Sequence, residues 1–241
     1  QQYSRTQIKA PKFQIKEWDY YLVVGDDCAV AFTLSDDGYV GLQSVSLLDF
    51  SGEPWEHTET ILDAFPMGKL RMPENSSEGD IIYEKKNLRL KYVLENSASE
   101  SAEEEHNEKI TKPAIRIRHI TCQFDNFYQG KSFSCDIRLR QPDMDTMVIA
   151  TPWDAHKIDD VEFVIPEDDY CKPWKFTSSD GRFEMDFLPI LDRSACLDYK
   201  LIVSDQHQVF GRMSGMAVLD DGTKIEIKDV LCFAEKVHNR Y

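Results

Sequence analysis

The sequence predicts an all-β protein, an antiparallel barrel or β-sandwich organised in two β modules. Three observations carry that expectation. Stretches rich in β-branched, aromatic and alternating residues recur along the chain, turn signals separate them, and no long segment has a helical period. A chain of 241 residues is long enough to bury one large β core or two smaller ones.

Strands are expected at residues 20–24, 28–34, 39–48, 87–94, 114–123 and 132–140. Gly25-Asp26-Asp27 and Asp36-Asp37-Gly38 supply turns between the first three. In Ile115-Arg116-Ile117-Arg118-His119-Ile120 the alternation reads as a sheet with one wet face. Residues 96–109 are acidic, small and polar, with too little apolar surface to offset their ordering entropy, and read as a mobile loop or hairpin tip. A hairpin spans residues 217–227, where Asp221-Gly222 offers the positive φ angles of a tight two-residue turn. Even spacing of short strands fits an antiparallel barrel or sandwich, in which inward polar groups on strands are the functional suspects.

Composition excludes several function classes. Lysine and arginine total 28 against 43 acidic residues, a net charge of −15 that repels nucleic acid and anionic membrane surfaces. No apolar run approaches the roughly 20 residues of a membrane-spanning helix, so no membrane span is expected. Six scattered cysteines with no CxxC pair read as buried free thiols of a protein in a reducing, cytoplasmic environment. The chain opens Gln1-Gln2-Tyr3 without methionine, as the interior of a longer product would. With no HExxH, CxxC or phosphate-binding glycine loop, neither a metal nor another cofactor is expected.

Several motifs together carry a family resemblance. They include Ile15-Lys16-Glu17-Trp18-Asp19-Tyr20-Tyr21, Phe65-Pro66-Met67-Gly68-Lys69, Ala150-Thr151-Pro152-Trp153, Ser178-Ser179-Asp180-Gly181-Arg182-Phe183-Glu184 and Gln206-His207-Gln208-Val209-Phe210-Gly211. Across nearly the whole chain they resemble the bacterial domain of unknown function numbered 2804, which lends no activity. That family is distantly similar to the lipocalin-like hydroxyneurosporene synthase (carotenoid hydratase) group, whose members handle apolar, often terpenoid, molecules. The resemblance implies lipocalin-like β modules, taken here as 1–153 and 154–241, and a glycine- and tryptophan-rich segment after Thr151-Pro152-Trp153. Here Trp153 is followed almost at once by His156-Lys157-Ile158, so residues are expected to be missing between Trp153 and His156.

The chemical expectations centre on residues 182–187. Arg182, Glu184 and Asp186 alternate with Phe183, Met185 and Phe187, so strand geometry sends the charges to one face. Residues two apart on a strand have α-carbons about 6.5–7 Å apart, near the spacing of an inverting glycosidase pair. In a barrel interior, desolvation would instead raise one carboxyl into a general acid. On a solvated face the three are a neutralised ion cluster. His207, on one face with Asp205 and Val209, reads as a general base or a hydrogen-bonded sheet histidine. Asp180 fits a turn. Trp18, Trp153 and Trp174 are the aromatic ligand contacts expected from their charged or turn neighbours.

The expected function is binding of a small apolar or amphipathic molecule, with cofactor-free acid-base chemistry at Glu184 or Asp186 beside Arg182 as its catalytic form. A carbohydrate-active protein using the same carboxylates, and a non-catalytic binding or structural protein, are the alternatives.

Overall fold

A computed structural model of the chain describes residues 7–73, 79–96, 116–141, 158, 160–198 and 203–240. It is all-β, with no α-helix among these residues and three antiparallel sheets, none closed into a barrel. The chain divides into two compact units, one of Gln1–Leu47 with His57–Pro152, the other of Leu48–Glu56 with Trp153–Tyr241.

In the first unit, β1 (Glu17–Val24), β2 (Cys28–Asp36), β3 (Val40–Asp49) and β4 (Trp55–Ala64) form one meander; residues 48–56, the tip joining its last two strands, group with the other unit. A second meander runs β5 (Ile81–Lys85), β6 (Leu88–Asn96), β7 (Arg116–Tyr128) and β8 (Lys131–Gln141). Phe32, Leu34, Val45 and Ile61 of the first sheet share one core with Leu88, Leu90, Tyr92, Ile120, Cys122 and Phe124 of the second. Each such fully buried side chain stabilises the fold by about 1.5–3 kcal/mol before entropy is counted. Two sheets that share one core make this unit a β-sandwich.

The second unit holds a five-stranded meander: β9 (Val161–Val164), β10 (Trp174–Ser178), β11 (Phe183–Asp198), β12 (Val203–Val218) and β13 (Lys224–Arg240). Trp174, Phe176, Met185, Phe187 and Val209 form its core. Phe187 is accommodated by Gly211, where an added Cβ would stand 2.7 Å from the ring and 2.5 Å from the Leu188 carbonyl oxygen.

Two expectations are corrected here. The wet-face reading of residues 115–120 is inverted at Arg118: this arginine lies in phase with buried Ile120, Cys122 and Phe124 and is only 1% exposed. The apolar residues that set the phase of the strand are those after His119, because they continue for three alternations. The 217–227 hairpin forms, but its loop is five residues, with Val218 opposite Lys224 and only Gly222 at positive φ (85°). Asp221 instead accepts a hydrogen bond from the Thr223 amide at 2.8 Å, which closes a wider turn. Residues 97–109 of the expected acidic loop, Trp153, and the position of the expected missing segment lie outside the described residues.

Candidate functional site

Glu184 and Asp186 do share the outer face of β11, opposite Met216 and Ser214 of β12, with Asp186 exposed and Glu184 half-buried. Arg182 turns elsewhere. Its Nε donates to the Val218 carbonyl oxygen at 3.0 Å and its Nη2 to Asp220 Oδ1, so it fastens the start of the 219–223 loop. Asp180 closes the preceding turn, accepting from Ser178 Oγ at 2.8 Å and from the Arg182 amide at 3.1 Å. The Ser178 hydroxyl and this amide hold the Asp180 carboxyl below the usual aspartate range. Asp180 and Arg182 thus have local structural work in the turn and hairpin.

His207 stands in a denser cluster on the inner face of the same sheet. The bulge between Pro189 and Leu191 shifts the phase of β11 and brings Asp192 opposite Val209, onto the face that carries His207. Asp192 Oδ2 lies 2.8 Å from His207 Nδ1, and Asp205 Oδ1 lies 3.6 Å from Nε2. Tyr170 covers the imidazole edge to face at 4.4 Å, and the Lys236 ammonium sits 4.9 Å from the Tyr170 ring centroid. Trp174, 2% exposed, anchors the segment by donating from Nε1 to the Tyr170 carbonyl at 2.9 Å. Arg193, next to Asp192 in sequence, points to the other face and donates to Gln208 Oε1 at 2.8 Å. A histidine held by one carboxylate and facing a second is oriented, but its Nε2 is directed at Asp205 rather than at an open position. Trp174 is core, and Trp18 is 66% exposed on the face of β1 opposite to Asp19.

The first unit contains a second polar cluster, which sequence reasoning missed. Asp19 and Tyr21 of β1 are in register with the core residues Leu34 and Phe32, so both face inward. Arg118 of β7 lies in the same interior, its Nη1 donating to the carbonyls of Gly79 at 2.8 Å and Tyr92 at 3.4 Å. Burial pushes the Asp19 carboxyl above its ordinary range, against the opposing field of Arg118. Burial, then the Asp19 charge, pushes Tyr21 up to about 12 while Arg118 pulls it down. Tyr92, 0% exposed, is pushed well above the ordinary tyrosine value, first by burial. Both hydroxyls are buried; that of Tyr21 lies beside the Arg118 guanidinium, whereas that of Tyr92 has no hydrogen-bond partner among the described residues. The available signal was the Asp19-Tyr20-Tyr21 alternation, together with the phase of Arg118 relative to Ile120, Cys122 and Phe124.

Among the described residues no group of three or more His, Cys, Asp or Glu side chains is arranged to hold a metal ion, and no helix is long and apolar enough to cross a membrane. A family model described as Domain of unknown function (DUF2804) matches residues 1–156 and 154–241, which together span the chain. The chain belongs to that family. No curated protein and no solved structure matches it significantly. The functional reading of this DUF2804 chain therefore rests on its own side chains, among them the interior cluster of Asp19, Tyr21, Tyr92 and Arg118.

Proposed function

We propose that the first unit binds a small amphipathic molecule between its two sheets, with the polar end at Tyr92, Tyr21, Asp19 and Arg118. The observation that carries this reading is the Tyr92 hydroxyl, fully buried with no hydrogen-bond partner among the described residues. Leaving such a group unsatisfied costs about 1–3 kcal/mol, a cost that a ligand hydroxyl or carbonyl would offset. Apolar neighbours Phe32, Leu34, Leu90 and Ile120 suit the hydrocarbon part of the same molecule. The resemblance to the hydroxyneurosporene synthase group supports the same ligand class, although as a fold-level analogy it transfers no residue.

Acid-base chemistry of this kind requires a desolvated carboxyl. Asp19 meets that requirement: its carboxyl is raised by burial, among apolar walls. If the bound molecule is turned over, Asp19 is the proton donor in this reading, with Arg118 limiting how far its affinity for the proton rises.

The test is mass spectrometry of an organic-solvent extract from the purified full chain, beside an extract of the same chain after unfolding and washing. A near-stoichiometric lipid or isoprenoid, reduced at least about tenfold in Tyr92→Phe (1.4 kcal/mol per decade), is the expected result. An empty extract, together with no thermal shift from any amphipathic compound, overturns the reading.

A further inference from the structure

Cys122 and Cys135 stand directly opposite one another across β7 and β8, on the interior side of the second sheet. Side chains so placed have Cβ atoms about 4.5–5.5 Å apart. A disulfide holds them about 3.5–4.5 Å apart, so a small movement of one strand closes the bond. Cys122 is 4% exposed, whereas Cys135 is partly exposed and lies on β8, the edge strand of its sheet. A register shift between Phe124 and Tyr128 interrupts the ladder just beyond the pair and leaves the hairpin room to adjust.

We propose that Cys122 and Cys135 form a peroxide-responsive dithiol that oxidises to a cross-strand disulfide in the wall of the sandwich. The Cys122 thiol donates a hydrogen bond to the Cys135 sulfur, which lowers the Cys135 pKa from its ordinary value of 9.0 and, with burial, raises that of Cys122. Cys135, the more exposed of the two, is the attacking thiolate and the buried Cys122 the resolving thiol. The Cys135 sulfur attacks one oxygen of hydrogen peroxide. An S–O bond forms, the O–O bond breaks, and the departing hydroxide takes up a proton to become water. The Cys122 sulfur then attacks the resulting sulfenic sulfur. The S–S bond forms, the S–O bond breaks, and the hydroxyl leaves with the Cys122 proton as a second water. Two thiols and one peroxide have become one disulfide and two waters. The two sulfurs and Tyr92 line the same core, and a thiolate charge at either cysteine acts on Tyr92, so oxidation changes the lining of the same interior.

The test treats the reduced full chain with hydrogen peroxide and digests it with trypsin without reduction. Cleavage after Arg118, Lys131 and Arg138 places the two cysteines on separate peptides, 119–131 and 132–138. The expected product is these two peptides joined, lighter by two hydrogens, separated again by a thiol reductant. In Cys122→Ser, Cys135 should stop at a sulfenic acid that dimedone traps; in Cys135→Ser, Cys122 should stay unlabelled. Should either variant fail to fold, alkylation of the wild-type chain gives the same order, with Cys135 modified about tenfold faster than Cys122. Unjoined peptides in a sample whose exposed Cys171 is oxidised, a crosslink seen only in denaturant, or the reverse order of reactivity would each overturn the proposal.

Discussion

Tyr21 and Tyr92 meet edge to face inside the sandwich, with ring centroids 4.8 Å apart and planes inclined by 75°. Their rings satisfy the apolar interior, but the Tyr92 hydroxyl is a buried polar group with no hydrogen-bond partner among the described residues. Tyr92→Phe removes that group without altering the ring. In protein stripped of bound molecules this should raise unfolding stability by about 1–3 kcal/mol, measured by urea denaturation. In protein carrying its ligand the same change should lower stability, because the bond to the ligand is lost. A variant no more stable than wild type in both states would show that the hydroxyl is satisfied in solution.

Arg118 heads the large, fully buried side chains among the described residues, and its guanidinium holds the carbonyls of Gly79 and Tyr92. Arg118→Ala removes those bonds and the packing of the long stem, at a cost of roughly 3–5 kcal/mol. It also removes the field that restrains Asp19. Because the folded-state pKa of Asp19 is raised above 3.8, its contribution to stability is fully present below 3.8 and is lost as pH rises through the folded value. Without Arg118 that value moves higher, and the loss extends to higher pH. Carboxyl titration by NMR in both proteins checks the direction.

The fold class was legible because strands announce themselves locally: the expected segments at 28–34, 39–48 and 132–140 lie within or across β2, β3 and β8. The site was less legible, for reasons that trace to single residues. Arginine is usually exposed, so Arg118 read as solvent-facing although its own phase matches Ile120. Arg182 shares a strand parity with Glu184, yet Val218 and Asp220, 36 and 38 residues away, capture its guanidinium. The pairing of Asp192 with His207 depends on a bulge at Pro189, and a one-residue phase shift leaves no mark in residue type.

Gly211 packs under Phe187 so closely that any side chain collides with backbone as well as ring. Gly211→Ala should destabilise the second unit by about 1–3 kcal/mol or more. Adding Phe187→Leu should recover only part of that loss, because the Leu188 carbonyl oxygen, 2.5 Å from the added Cβ, remains. Full recovery in the double variant, followed by thermal denaturation, would place the whole conflict in the ring.

Asp180 offers a pH-dependent test of the turn that leads into β11. Its carboxylate accepts from the Ser178 hydroxyl and the Arg182 amide, while Ser178 Oγ in turn accepts from the Phe183 amide at 2.8 Å. These donors favour the ionised form, with Ser178 first, so Asp180 should titrate below 3.8. A depressed folded value means that the group's contribution to stability is present above 3.8 and is lost as pH falls through the folded value. Ser178→Ala should move the midpoint back toward 3.8 and weaken the acid-side dependence, while Asp180→Asn should abolish that dependence at this position. An Asp180 midpoint unchanged by Ser178→Ala would show that the Arg182 amide alone holds the carboxylate.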